Sequence, residues 1–227
     1  MTRHWPIVLG IVLVASGLKL ADHQSASGLE VADRQAPPAE RPRLALLTSL
    51  PLLFGEQFAL DTPEVAAIAR IERSFTIIPI ATADAASLKR QSLLLMAHPR
   101  AQPAEVLVEL DAWVRKGGRV VILADPSLEW ESSRPFGDPM RPPPDFADTG
   151  LLDHWGLRMG VDEEREGSLR AIGGSCTVRE SGLVAHCRVG RGSVSVIADA
   201  DFVMNQGEDA SRRLDLMMGE LRRADSR

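Results

Sequence analysis

Residues 92–126, SLLLMAHPRAQPAEVLVELDAWVRKGGRVVILADP, decide how this chain is read. Two apolar runs, 93–97 and 120–124, flank a segment in which Val106, Leu110, Trp113 and Val114 recur at helical spacing, so the order is strand, helix, strand. Pro103 suits the first turn of that helix, and Gly117-Gly118 supplies its stop. Neither run alternates apolar with polar residues, so each strand is expected to be covered on both faces. Parallel strands joined by a right-handed helical crossover meet that requirement. The stretch is one βαβ unit of an α/β domain.

Toward the amino terminus, residues 43–48 read as a first strand, followed by the turn-forming, partly apolar 49–56. Asp61 is placed to cap a helix over 62–73 with Pro63 early in it, and 75–80 form a second strand. Toward the carboxyl terminus comes an irregular stretch, 127–148, carrying Pro135, Pro139, Pro142, Pro143 and Pro144; a loop of that length is functional or poorly ordered. A short helix at 149–155 ends at Gly156, and 157–161 are extended. The chain then turns antiparallel: 175–180 and 183–189 flank Ser181-Gly182, a dipeptide fit for a two-residue hairpin loop. A buried strand at 193–198 leads into Asp199-Ala200-Asp201-Phe202, and an amphipathic helix over 211–222 closes the domain. The expected fold is therefore α/β: a mostly parallel sheet flanked by helices, with an antiparallel hairpin toward the carboxyl terminus.

An apolar stretch from 5 to 18 behind Arg3 and His4 has the shape of an export signal. It falls short of the roughly 20 residues that cross a bilayer comfortably, although Leu20 and Ala21 extend it if Lys19 snorkels. Three readings stand: an uncleaved anchor helix, a signal peptide cleaved near Ala15-Ser16-Gly17, or a buried core segment. An anchor implies a single-pass protein of the inner membrane with its domain in the periplasm; cleavage implies a soluble periplasmic one. The organisation expected is 1–21 anchor or signal, 22–42 a flexible linker rich in Pro, Ala and Ser, 43–222 the α/β domain and 223–227 a tail.

With a net charge of −5, no run of Lys or Arg and 4% aromatic residues, the chain is a poor candidate for nucleic-acid binding. No nucleotide-binding glycine loop and no Gly-x-Ser-x-Gly elbow is present, and neither cofactor nor metal is expected. The two cysteines, Cys176 and Cys187, fall opposite each other when counted outward from Ser181-Gly182. In an exported protein a disulfide is the economical reading, against two buried thiols or a metal or catalytic role.

Ligands of an open parallel sheet lie beyond the carboxyl ends of its strands. The residues there are Ser49, Glu56, His98, Asp125, Asp199 and Asp201, with Glu129, Asp138 and Arg141 on the adjoining loop. Carboxylates and a histidine gathered at one edge can coordinate a metal or do acid–base work, and the same residues are the candidate ligand contacts. The alternative is that Asp125 and Asp199 cap loops and helix starts, Asp201 bonds to backbone amides, and His98 is a strand-end polar residue. No residue is assigned a catalytic role. Trp130 either pins the long loop or offers a contact surface, while Trp113 is expected in the core and His154 and His186 at exposed positions.

The run LLLMAHP at 93–99, the helix with Leu110-Asp111-Ala112-Trp113-Val114, the strand from Gly117 to Pro126, Leu152-Asp153-His154-Trp155-Gly156-Leu157, and Gly190-Arg191-Gly192 to Phe202 come in an order that resembles the GldG-like family of ABC-transporter auxiliary domains. The resemblance covers about 43–205 and implies a flavodoxin- or class I glutamine amidotransferase-like fold. It also implies permease and ATPase subunits of an ABC transporter as partners. Larger members look like multi-span or two-domain membrane proteins, whereas this chain has one N-terminal apolar segment. The third strand ends in His98-Pro99 where an amidotransferase would carry its cysteine, so amidotransferase chemistry is not implied.

Overall fold

The strand–helix–strand unit is present as β3 (Leu93–Ala97), α3 (Ala104–Arg115) and β4 (Arg119–Leu123), the two strands pairing in parallel. The computed structural model describes residues 41–56, 65–162 and 165–226; the expected Asp61 cap, Pro63, the apolar segment and all but the end of the linker lie outside them. Among the described residues no helix is long and apolar enough to cross a membrane.

Seven strands form one sheet in the order β2-β1-β3-β4-β9-β8-β7, with β1 at Arg43–Thr48, β2 at Thr76–Pro79, β7 at Ser175–Arg179, β8 at Val184–Val189 and β9 at Gly192–Ile197. The first five in that order run parallel, and the hairpin β7–β8 adds to β9 antiparallel. The parallel strands thus follow a doubly wound order whose direction of growth reverses between β1 and β3, the place where such sheets open a crevice.

Both faces of β1, β3 and β4 are apolar, as the unbroken runs require. On one, Leu44, Leu93, Leu95, Val121 and Ile197 pack against α1 (Ala66–Glu72) and α5 (Glu208–Asp225) through Ile68, Ile71, Leu214, Met217 and Leu221. On the other, Leu94, Met96, Val120, Ile122 and Val194 meet α3 through Val106, Leu110 and Val114, together with Leu88 of α2 (Ala85–Leu88) and Trp155 of α4 (Leu151–Trp155). Burying a Leu or Ile side chain contributes about 1.5 to 3 kcal/mol, so these two layers dominate the stability of the sheet.

The helix stop works by two different means. Gly117 has φ +116°, which a side chain would strain; Gly118 is needed because a Cβ there would stand 2.3 Å from the Trp113 ring. Trp113 is accordingly half-buried at the rim of the core, where the spacing had placed it inside. Its counterpart on α4, Trp155, is buried and donates its indole N–H to Asp111 at 2.8 Å, tying α4 to α3.

Other departures are local. Strand β5 (Leu157–Asp162) pairs with β6 (Arg165–Ala171) as a separate two-stranded sheet, where the sequence suggested only an extended segment. Helix α5 runs from Glu208 to Asp225, so residues 223–225 continue a helix rather than begin a tail. The hairpin keeps its expected register: Leu183 N–H donates to the Glu180 carbonyl at 3.0 Å around Ser181 and Gly182, both at positive φ, and Cys176 sits opposite Cys187. The two are joined in a disulfide with a Cα separation of 4.1 Å.

The bridge spans a sequence separation of 11, for which chain-entropy reasoning gives about 2 to 3 kcal/mol. Replacing both Cys176 and Cys187 by Ser is expected to lower the urea-unfolding free energy by that amount. Reductant should lower the parent to the same value, and identical midpoints with and without reductant would count against the staple.

Candidate functional site

The carboxyl edge of the sheet carries most of the polar residues singled out in the sequence. Because β4 and β9 are neighbours, Asp125 beyond the end of β4 meets Asp199 and Asp201 beyond the end of β9, with ligand-capable atoms of all three within 4.8 Å. They line a cleft of about 460 Å³ that also carries Glu129, Asp209 and Arg213.

Each carboxylate is engaged by the protein itself. Asp125 is buried; its Oδ1 accepts the Ser127 N–H at 2.9 Å and its Oδ2 the Ala200 N–H at 2.7 Å. Asp199 accepts the Asp201 N–H at 3.1 Å and faces the Arg213 guanidinium at 3.2 Å. Asp201 Oδ1 accepts the amides of Glu129 at 2.9 Å and Trp130 at 3.1 Å, both in the long loop. Burial and the nearby charge of Asp125 push the Asp201 carboxyl up to about 6, although the two loop amides pull the other way. The trio has a geometry that could hold a cation, but its oxygens already serve as acceptors for backbone amides.

The remaining residues fasten the same loop, 127–148, at other points. His98 is fully buried with φ +44°, an uncommon conformation for a residue with a side chain, and its Nε2 lies 2.9 Å from the Pro143 carbonyl. A carbonyl only accepts, so Nε2 carries the proton; Nδ1 has no partner. Burial lowers the pKa of His98 and keeps the ring neutral. Ser49 donates its hydroxyl to the His98 carbonyl, and Thr48 donates to that of Ala97 at 2.8 Å, so the crevice between β1 and β3 is bridged by the chain's own groups.

Glu56 accepts from the Ser132 hydroxyl and from the Ser133 amide at 2.7 Å. Burial raises the Glu56 pKa, but the hydrogen bonds of Ser132 and Ser133 and the charge of Arg134 outweigh it and leave the carboxyl lowered. Arg141 donates to the Ser132 carbonyl at 3.1 Å and stacks over Phe136 at 4.4 Å. Trp130 is half-buried and shares a hollow with Phe136 and Pro142 to Pro144, so it pins the loop to itself. Phe54, Phe136 and Met140 nevertheless remain exposed at this edge.

A second polar cluster went unseen in the sequence. His186, expected exposed on the hairpin, is part-buried, its Nε2 2.7 Å from the buried Glu220 of α5, and Ser195 donates to the same carboxylate at 2.9 Å. These partners are 34 and 25 residues apart in the chain. The one available signal was a lone glutamate among the apolar residues of α5. His154, by contrast, is exposed as expected.

The family of ABC-type uncharacterized transport systems matches residues 41–164. No curated protein matches the sequence. Among solved structures, the mmIFT52 N-terminal domain superposes with a TM-score of 0.50 at 13% identity, over 79% of this chain and 96% of that one. The cytoplasmic protein STM1381 from Salmonella typhimurium LT2 follows with a TM-score of 0.46 at 8% identity, over 79% and 99%. The exo-β-1,4-mannosidase Op5Man5 from Opitutaceae bacterium strain TAV5 gives 0.39 at 14%, over 80% of this chain and 34% of that one. At such identities the likeness to the mmIFT52 domain concerns fold alone.

Asp201 supplies a test of the edge. Its folded pKa, about 6, lies above the unfolded 3.8, so ionising it destabilises the folded state as pH rises through roughly 4 to 6. Asp201→Asn keeps an acceptor for the two loop amides and does not ionise. Its unfolding free energy relative to the parent is expected to climb by about 1 to 2 kcal/mol across that window, after discounting for partial exposure. Urea unfolding at pH 4 and pH 7 measures the difference. A pH-independent difference would sink the assignment of a raised pKa to Asp201.

Proposed function

We propose a role on one premise: this chain belongs to the family of ABC-type uncharacterized transport systems. The α/β domain is an auxiliary domain of such a system, and it acts without catalysis. It is tethered to the inner membrane by residues 1–21, carried in the periplasm on the linker 22–42, and binds a permease partner or an extracytoplasmic ligand. The GldG-like members are the relatives whose arrangement this reading follows.

The observation that carries the non-catalytic part is the use made of the carboxyl edge. Asp125 and Glu56 direct both carboxylate oxygens, Asp201 its Oδ1 and His98 its Nε2, at backbone or hydroxyl groups of the protein itself, mostly in 127–148, and the one unpartnered ring nitrogen, His98 Nδ1, is buried. A general acid or base needs an atom free to reach a substrate. Beside the polar cleft, three large apolar side chains face outward at this edge: Phe54 is 77% exposed, Phe136 90% and Met140 64%, features suited to a protein partner.

One observation favours a second reading, an exported hydrolase. Burial and the charge of Asp125 raise the Asp201 carboxyl to about 6, toward the range in which a carboxyl acts as a general acid or base near neutral pH.

Affinity purification of the full-length, C-terminally tagged protein from mild-detergent membranes of its own host distinguishes the two. A multi-span permease and its ATPase are expected to co-purify, and the variant carrying Asp125→Asn, Asp199→Asn and Asp201→Asn should retain them. Recovery of the protein alone would overturn the auxiliary role as a stable assembly. A hydrolytic activity lost in the folded triple variant would establish the enzyme instead.

A further inference from the structure

At the hairpin side of the sheet, β7, β8 and β9 present a polar face on the side of α5. The register aligns Ser175, Arg188 and Ser193 in one row across β7, β8 and β9, and Thr177, His186 and Ser195 in the next. The corresponding face of the neighbouring parallel strands is leucine and valine. Here the sheet instead forms a cleft of about 210 Å³, closed on one side by Arg223 and Ala224 at the end of α5 and flanked by Arg179.

The charge in this cleft is unbalanced. No carboxylate among the described residues lines it; Glu220 lies beneath, buried, 2.7 Å from His186 Nε2, accepting from Ser195 and 3.4 Å from the Arg223 guanidinium. Burial raises the Glu220 pKa, but its bonds to His186 and Ser195 prevail and keep it lowered, so it stays charged beneath the cleft floor. Three guanidiniums, those of Arg179, Arg188 and Arg223, therefore stand against one carboxylate. Arg179 and Arg188 are exposed and have no carboxylate partner among the described residues, and the hydroxyls of Ser175, Thr177 and Ser193 have no hydrogen-bond partner there either.

The geometry points to an oxyanion site on this face, built to take a phosphate group between Arg188 and Arg179 with the three free hydroxyls as further donors. A guanidinium matches the oxygens of phosphate with two parallel N–H donors, and hydroxyls complete a tetrahedral group better than a planar one. The cleft is smaller than the roughly 300 Å³ at which sites for whole small molecules begin, so it holds the anionic group and leaves the rest of the ligand outside. The phosphate can belong to a free phosphate ester or to a lipid headgroup. This inference is independent of the auxiliary role.

The test uses the full-length protein in detergent, titrated with inorganic phosphate by calorimetry against chloride at matched ionic strength. Saturable binding with Kd on the order of 1 mM is expected. Arg188→Gln should weaken it about tenfold, the loss of one charge-assisted pair, and Arg179→Gln should weaken it in the same direction. Arg158→Gln, which removes an exposed arginine paired with Asp153 elsewhere, should leave it unchanged. All variants are checked for unchanged thermal midpoints, and Arg179→Gln keeps the test valid if Arg188→Gln fails to fold. Flotation with phosphatidic acid vesicles against phosphatidylcholine vesicles separates the sources: an Arg188-dependent preference for phosphatidic acid assigns a headgroup, and its absence with phosphate binding intact assigns a soluble ester. No saturable binding in either arm overturns the site, as does an Arg158→Gln variant weakened as much as Arg188→Gln.

Discussion

A single buried carboxylate governs the carboxyl edge of this sheet. Where parallel strands end, their next amides lose ladder partners and need acceptors. Asp125 supplies two at once, taking Ser127 on its own strand's exit and Ala200 on that of β9. Charge-assisted bonds of this kind contribute about 1.5 to 3 kcal/mol each, and removing the carboxylate would leave two amides without partners. With these two exits tied, Asp201 is held where the amides of Glu129 and Trp130 reach it, and Asp199 where Arg213 of α5 reaches it. The long loop, the sheet and the last helix are joined through one cluster of acidic groups. Burial, and then the charges of Asp125 and Asp199 beside it, raise the pKa of Asp201.

That arrangement explains how a loop of twenty-odd residues without secondary structure keeps a defined course over the sheet. His98, Glu56 and Asp201 each grip it at a different point, through Pro143, through Ser132 and Ser133, and through the amides of Glu129 and Trp130. His98 does so from a backbone conformation costing about 1 kcal/mol or more, which the surrounding fold must over-determine. In doubly wound sheets this edge is where ligands settle. Here the chain's own loop occupies much of that position.

What the residues revealed in advance followed the range of the forces concerned. The unit β3-α3-β4 was legible because unbroken apolar runs and a helical stripe are local patterns, and the Cys176–Cys187 pairing because a two-residue turn fixes register by counting. The gathering of Asp125, Asp199 and Asp201 at one edge followed from strand direction alone, without knowing that β4 and β9 are neighbours. Strand β6 escaped notice because Gly167, Ser168 and Leu169 give its centre only one large apolar side chain. The burial of His98 depends on a carbonyl 45 residues away, and that of His186 on Glu220 in the last helix; no local pattern encodes either.

The covalent tie between β7 and β8 has a consequence for the molecule among its own copies. Strand β7 is one outer edge of the sheet, and an outer hairpin is the element most easily exchanged between identical chains. With Cys176 bonded to Cys187, the hairpin is a closed ring whose outer strand cannot leave without its inner one. The opposite edge, β2, is four residues long and ends in Pro79, which has no N–H to offer a further strand. The oxidised domain is thus guarded against swapped dimers on one side and against strand-on-strand growth on the other, and reduction removes only the first of these protections.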